Sequence, residues 1–125
     1  MLDHITVWVT DIAKSRAFYD QALAPLGLVR MMDLTAEQVG QPSAGYGANG
    51  RFWFWINEGP TRTTHFAFVA KDRAMVDEFY RAAIAAGGMD HGAPGLRPLY
   101  HKDYYGAFVL DPDGHNVEAV CRLPE

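Results

Sequence analysis

Three residues far apart in the chain carry side chains that could share one chemistry: His4 in LDHITVWV, His65 in HFAFV and Glu118 in NVEAV. Two imidazoles and one carboxylate form a donor set used for non-haem iron(II) and several other divalent ions, with coordination positions left open for a substrate. The chemistry would be metal-assisted. A simpler role stays open, because Glu118 could make a charge-assisted hydrogen bond to either imidazole without any ion. The choice depends on the elements that position these residues.

In LDHITVWV, Ile5, Val7 and Val9 fall on one face of a strand, and His4, Thr6 and Trp8 on the other. Asp11 then caps a helix, IAKSRAFYDQALAPLG. Ser15, Phe18, Tyr19, Ala22 and Leu26 recur in it at helical spacing, and Pro25 with Gly27 ends it. Leu28–Leu34 reads as a strand and Thr35–Gly50 as loop with a short strand near Ser43–Tyr46, while Arg51–Asn57 reads as a further strand. Near the end, two apolar runs flank Asp111-Pro112-Asp113-Gly114, which predicts a β-hairpin. Met89–Lys102, with two Gly and two Pro, reads mostly as loop. His91, in that loop, and His115, in the hairpin turn, are expected in solvent.

Sliding the chain on itself lays HITVWVTDIAKSRAFYDQALAPLG over HFAFVAKDRAMVDEFYRAAIAAGG. His4 meets His65, Asp11 meets Asp72, Phe18-Tyr19 meets Phe79-Tyr80 and Gly27 meets Gly88. A slightly different offset lays GRFWFWINEGP over GHNVEAVCRLP and makes Phe54 the counterpart of Glu118. The chain therefore reads as one α+β domain of two tandem βαβββ modules, residues 1–61 and 62–125. Neither module is large enough to cover its own sheet, so the two are expected to form a curved mixed sheet with the helices outside and a concave face for a ligand. His4 and His65 share the inner face, and Val117, Ala119 and Cys121 belong under a helix, which turns Glu118 inward as well. Arg97, Tyr100, His101, Tyr104 and Tyr105 crowd the loop before the seventh strand, where phenols and a guanidinium suit a small oxygenated or acidic substrate, and Tyr100, His101 and Tyr104 or Tyr105 are the candidates for substrate contact. A loop pinned by its own aromatics is the equal alternative. Phe54, Trp8 and these tyrosines could also wall a pocket.

The 125 residues and net charge of −4 give no basic footprint for nucleic acid or an anionic membrane, so the expected partner is a small molecule. Cys121 is the single cysteine, which fits a reducing compartment. No run approaches the ~20 apolar residues that span a bilayer, and the N-terminus lacks a secretory pattern, so the expected location is the cytoplasm.

The paired βαβββ repeat, the histidine near the start of the first strand, the second in HFAFV, and DPDGHNVEAV with its glutamate resemble the vicinal oxygen chelate superfamily. That superfamily includes glyoxalase I, extradiol dioxygenases and bleomycin-resistance proteins, and the resemblance covers essentially the whole chain. It implies a divalent ion (Fe, Zn, Ni or Mn) on His4, His65 and Glu118, lyase, isomerase or dioxygenase chemistry on a small oxygenated substrate, and a homodimer. Glyoxalase I resembles this repeat but adds a second glutamate where the present register places Phe54, or Trp53 if the register slips by one. An aromatic side chain cannot ligate the ion, so a true glyoxalase I is disfavoured. Dioxygenases of the superfamily share the two-histidine, one-glutamate set but are longer and use an additional acid–base histidine, for which His101 is the available candidate. The alternative implied by the resemblance is a metal-free protein that binds an antibiotic or metabolite between aromatic walls.

Overall fold

Asp11 and Asp72 start the two main helices as their spacing predicts: their carboxylates accept from the backbone N–H of Lys14 and Met75. A computed structural model describes residues 1–125. The first module runs β1 (Ile5–Val9), α1 (Ile12–Ala22), β2 (Val29–Leu34), a one-turn helix α2 (Ala36–Val39), β3 (Ser43–Ala48) and β4 (Arg51–Glu58). The second runs β5 (His65–Val69), α3 (Arg73–Ala85), β6 (Met89–Leu96), β7 (Tyr105–Leu110) and β8 (Asn116–Cys121). A 3-10 turn over Ala24–Leu26 ends at Gly27, whose φ of 81° lies in the left-handed region that glycine adopts without strain.

Each module builds its own four-stranded mixed sheet, in the orders β1-β4-β3-β2 and β5-β8-β7-β6. The first strand of each lies parallel to the last, and the other pairings are antiparallel. The two sheets do not join through hydrogen bonds, so β1 and β5 each keep one open edge. β6 occupies much of the stretch whose glycines and prolines read as loop. As an edge strand it needs partners on one side only, and its pairing with β7 breaks around Gly92 and again before Gly95.

One face of each sheet is covered by helix, and α1 packs on α3 so that the modules share a single apolar core. Tyr19 on α1 touches Phe54 on β4, with ring centres 5.0 Å apart, and its hydroxyl donates to Asp111 at the end of β7 (2.6 Å). Asp111 also accepts from the backbone N–H of Asp113 and His115, which closes the hairpin turn. His115 is 1% exposed rather than solvated. Its Nδ1 accepts from the Thr64 N–H (3.0 Å), and its Nε2–H donates to the Trp8 carbonyl (2.9 Å). Asp113 accepts from the backbone N–H and the hydroxyl of Thr10. The hairpin tip of the second module is thus tied to the end of β1 and to the chain between the modules.

The buried phenols make an alkaline prediction. Burial, followed by the Asp111 charge, raises the Tyr19 hydroxyl well above the usual tyrosine range, and burial with the bond to Asp20 raises Tyr46. Both groups keep their protons in the folded chain when the unfolded chain begins to lose them near pH 10. Their contribution is therefore complete below about pH 10 and falls above it, by about 1.4 kcal/mol per pH unit for each tyrosine. Urea midpoints measured from pH 9 to pH 11 should show this decline, and Tyr46→Phe should make it shallower.

Candidate functional site

The site forms on the uncovered face of the second sheet. Strand pairing sets Ala67 opposite Glu118 and Glu118 opposite Phe108, so the alternation that buries Val117 and Ala119 beneath α3 turns Glu118 the other way, as the sequence predicts. Glu118 is nevertheless 2% exposed. Its Oε2 accepts a short hydrogen bond from the Tyr104 hydroxyl, and its Oε1 lies 3.2 Å from His65 Nε2. His65 Nδ1 lies 3.0 Å from the carbonyl oxygen of Asn116, which can only accept, so Nδ1 carries a proton. Gly106 leaves space for this contact: a Cβ there would lie 3.1 Å from the Tyr104 ring and 3.2 Å from Glu118 Oε2. Burial and the bond to Glu118 push the Tyr104 phenol up to about 12, so it remains a donor throughout the neutral range.

These groups face a cavity of about 340 Å³, bounded also by Tyr100, Phe108 and Arg122. Tyr100 and Tyr104 meet edge to face, with ring centres 5.1 Å apart. Arg122 and Phe108 had not been singled out in the sequence. Phe108 stands across the ladder from Glu118, and Arg122 continues the Glu118, Val120 alternation beyond the strand end.

The other sequence candidates are placed differently. His4 precedes β1, is exposed and bonds to Asp3 (2.8 Å). It lines a second cavity, of about 880 Å³ between the edges of β1 and β5, and His65 also lines that cavity. His65 and Glu118 meet, but His4 does not complete a group of three with all donor atoms within 4.8 Å of one another; only Asp111, Asp113 and His115 form such a group. Both nitrogens of His115 already have partners, so that group is a structural knot. His101 is an exposed turn residue whose Nδ1 accepts from the Asp103 N–H. Tyr105 turns toward α3, where its hydroxyl donates to Asp77 (2.7 Å), and it does not enter the cavity.

Phe54 is fully buried among Tyr19, Phe66 and Phe68 and cannot wall a ligand site. Thr6 pairs with Trp55 in the first module as Ala67 pairs with Glu118 in the second, so Trp55 is the counterpart of Glu118. A bulge at Trp53, where the β3 partners step from Phe54 to Phe52, adds the residue that shifts the register. The uncovered face of the first sheet therefore carries Trp55, stacked on Phe52 at 4.9 Å, and Trp53, with the Arg51 guanidinium 5.5 Å from its ring centre. No carboxylate stands at the Glu118 position in the first module, as expected, although the residue there is Trp55.

Two βαβββ units sharing a core, with a histidine–glutamate–tyrosine cluster on the open face of one, define a class of duplicated small-molecule scaffolds. The chain belongs to the Glyoxalase/Bleomycin resistance protein/Dioxygenase superfamily, whose family model matches residues 1–119. A glyoxalase/bleomycin resistance protein from Albidiferax ferrireducens T118 is similar to it at 28% identity and a TM-score of 0.79, over 98% of this chain and 99% of that one. The fold is shared with lactoylglutathione lyase from Agrobacterium tumefaciens: 20% identity, TM-score 0.71, 97% of this chain and 92% of that one. It is also shared with the fosfomycin resistance protein FosX from Listeria monocytogenes, at 22% identity and a TM-score of 0.69 over 96% and 88% of the two chains. That structure is a mutant complexed with Mn(II) and a dihydroxypropylphosphonic acid. No helix of the present chain is long and apolar enough to cross a membrane.

Proposed function

We propose that the chain is a metal-dependent enzyme that holds a divalent ion at His65 and Glu118 and acts on a small oxygenated substrate. The observation that carries this reading is the 3.2 Å approach of His65 Nε2 to Glu118 Oε1, with Nδ1–H committed to the Asn116 carbonyl. In the neutral imidazole that tautomer aims the Nε2 lone pair at a carboxylate oxygen, and a divalent ion bound between the two acceptors satisfies both, where the ion-free alternative is a second ring proton. Ligand bonds of about 2.0–2.2 Å to one ion suit a nitrogen and an oxygen at this separation. A carbonyl that fixes the far ring nitrogen, as Asn116 does, is the usual support of a metal-bound histidine, and Tyr104 orients the carboxylate in the same way. Mn, Fe, Zn and Ni all accept this donor set. The ion would supply Lewis-acid polarisation of the substrate oxygens. Tyr104 then holds a proton in direct contact with Glu118, while Tyr100 and Phe108 line the cavity.

His4 is the third donor in this reading, supplied when two copies associate. β1 and β5 both present an open edge beside the larger cavity, and Leu2, Trp53 and the 84%-exposed Val69 lie exposed there. Open, apolar strand edges are unfavourable in a lone monomer and suit a homodimer in which the edges meet.

Elemental analysis of untagged protein, reconstituted in turn with Mn, Fe, Zn and Ni, tests the proposal. One equivalent of a divalent ion is expected, with loss from Glu118→Gln and weaker retention in His4→Ala. Wild-type protein that holds no ion after reconstitution would overturn it. The aromatic face of the first module, Trp55 on Phe52 beside Trp53, would then support a metal-free ligand-binding protein.

A further inference from the structure

The smaller cavity contains a cation that no other group in the chain uses. Arg16, Arg30, Arg51, Arg73 and Arg81 each pair with a carboxylate. Arg122 makes no ion pair, and its guanidinium rests 4.9 Å from the ring centre of Tyr104. The one acid in that cavity, Glu118, is turned to Tyr104 and His65 instead. Tyr104 is 7% exposed and fixed through its hydroxyl, so the ring that carries Arg122 is itself held in place. Arg97 does not line the cavity, but its guanidinium lies 5.4 Å from the ring centre of Phe108, which does, and donates to the Ala93 carbonyl. The chain has a net charge of −4, yet two guanidinium groups without carboxylate partners stand on aromatic rings of this cavity.

We infer that the cavity takes a flat, apolar small molecule bearing an oxyanion head group, with Arg122 receiving the head group and the Phe108 and Tyr100 rings flanking the body. A planar guanidinium presents paired donors that match the two oxygens of a carboxylate or two of a phosphonate. Stacking on Tyr104 orients this fork, and less rotamer freedom is lost on binding. A volume of about 340 Å³ is at the small end of ligand pockets and roughly twice the ~150 Å³ that takes a benzene ring, so it accommodates a substituted ring together with its head group. The inference deepens the proposed function by naming the substrate class, and it rests on that reading only for the claim that the ligand reacts.

Calorimetric titration with benzoate, phenylphosphonate and the neutral isostere benzamide, with Mn(II) present and again in EDTA, tests it. At least one anion should bind tenfold or more tightly than benzamide, and the stronger of the two identifies the head group. Arg122→Gln should erase that preference, Arg122→Lys should keep part of it, and Arg62→Gln, an exposed cation in the linker, should retain it fully. Equal affinity for the three probes, no binding of any, or an undiminished preference in Arg122→Gln would overturn the inference. An Arg122-dependent preference that persists in EDTA supports it even if the protein holds no metal, and metal binding without the preference overturns it alone.

Discussion

Phe54→Glu should leave the chain largely unfolded in water, while the same substitution one residue along, Trp55→Glu, should leave it folded. Phe54 is 0% exposed, and its ring meets those of Tyr19, Phe66 and Phe68 at 5.0, 5.2 and 5.4 Å between centres. Truncating such a ring costs about 3–5 kcal/mol, and an unpaired carboxylate in its place adds a desolvation penalty of several more. The sum is comparable with the whole stability of an ordinary domain, about 5–15 kcal/mol. Trp55 lies on the uncovered face with only Phe52 stacked on it, so its loss costs about 1–2 kcal/mol. Far-ultraviolet circular dichroism with urea titration separates the two outcomes. A Phe54→Glu protein with a near-native midpoint would place β4 in the wrong register.

His115→Ala should destabilise the chain by about 3–4 kcal/mol without touching the His65–Glu118 pair. The imidazole accepts from the Thr64 N–H through one nitrogen and donates to the Trp8 carbonyl through the other, and it is 1% exposed. Removing it orphans two backbone groups, at about 1–3 kcal/mol for each that water cannot reach, and opens a void of ring size. His115→Asn, which can still present one donor and one acceptor, should recover part of the loss. Equilibrium unfolding in urea reads the difference, and an alanine variant within 0.5 kcal/mol of wild type, on the order of a surface substitution, would remove the structural role assigned to His115.

The duplication was legible because its signals are local and repeated: paired histidines, two aspartate caps, Phe-Tyr on each helix, and clean alternation in β1 and β8. Facing followed from that alternation, and Glu118 and His65 do meet on the uncovered side. The register of β4 was not legible. Phe52-Trp53-Phe54-Trp55 has no polar residue to mark a face, and the bulge at Trp53 adds one residue between the glycine that anchors the alignment and the strand paired to β1. Burial of His115 was hidden for another reason: a turn looks solvated until distant segments, here Thr61–Thr64 and Trp8, close over it. The same limit applied to Tyr105, whose neighbour Tyr104 enters the cavity while Tyr105 itself points to α3, a division set by the strand that begins between them. β6 escaped because edge strands tolerate glycine and proline that a central strand would not.

The knot of Asp111, Asp113 and His115 bears on more than the hairpin it closes. Its partners are Tyr19, Thr10 and Trp8 of the first module and the Thr64 backbone in the connecting segment. Neither half of the repeat therefore contains all the contacts that hold it. A duplicated chain invites the picture of two beads on a string, each melting on its own schedule. Here the hairpin of one half is the clasp of the other, so the molecule is expected to gain and lose order as a single cooperative unit.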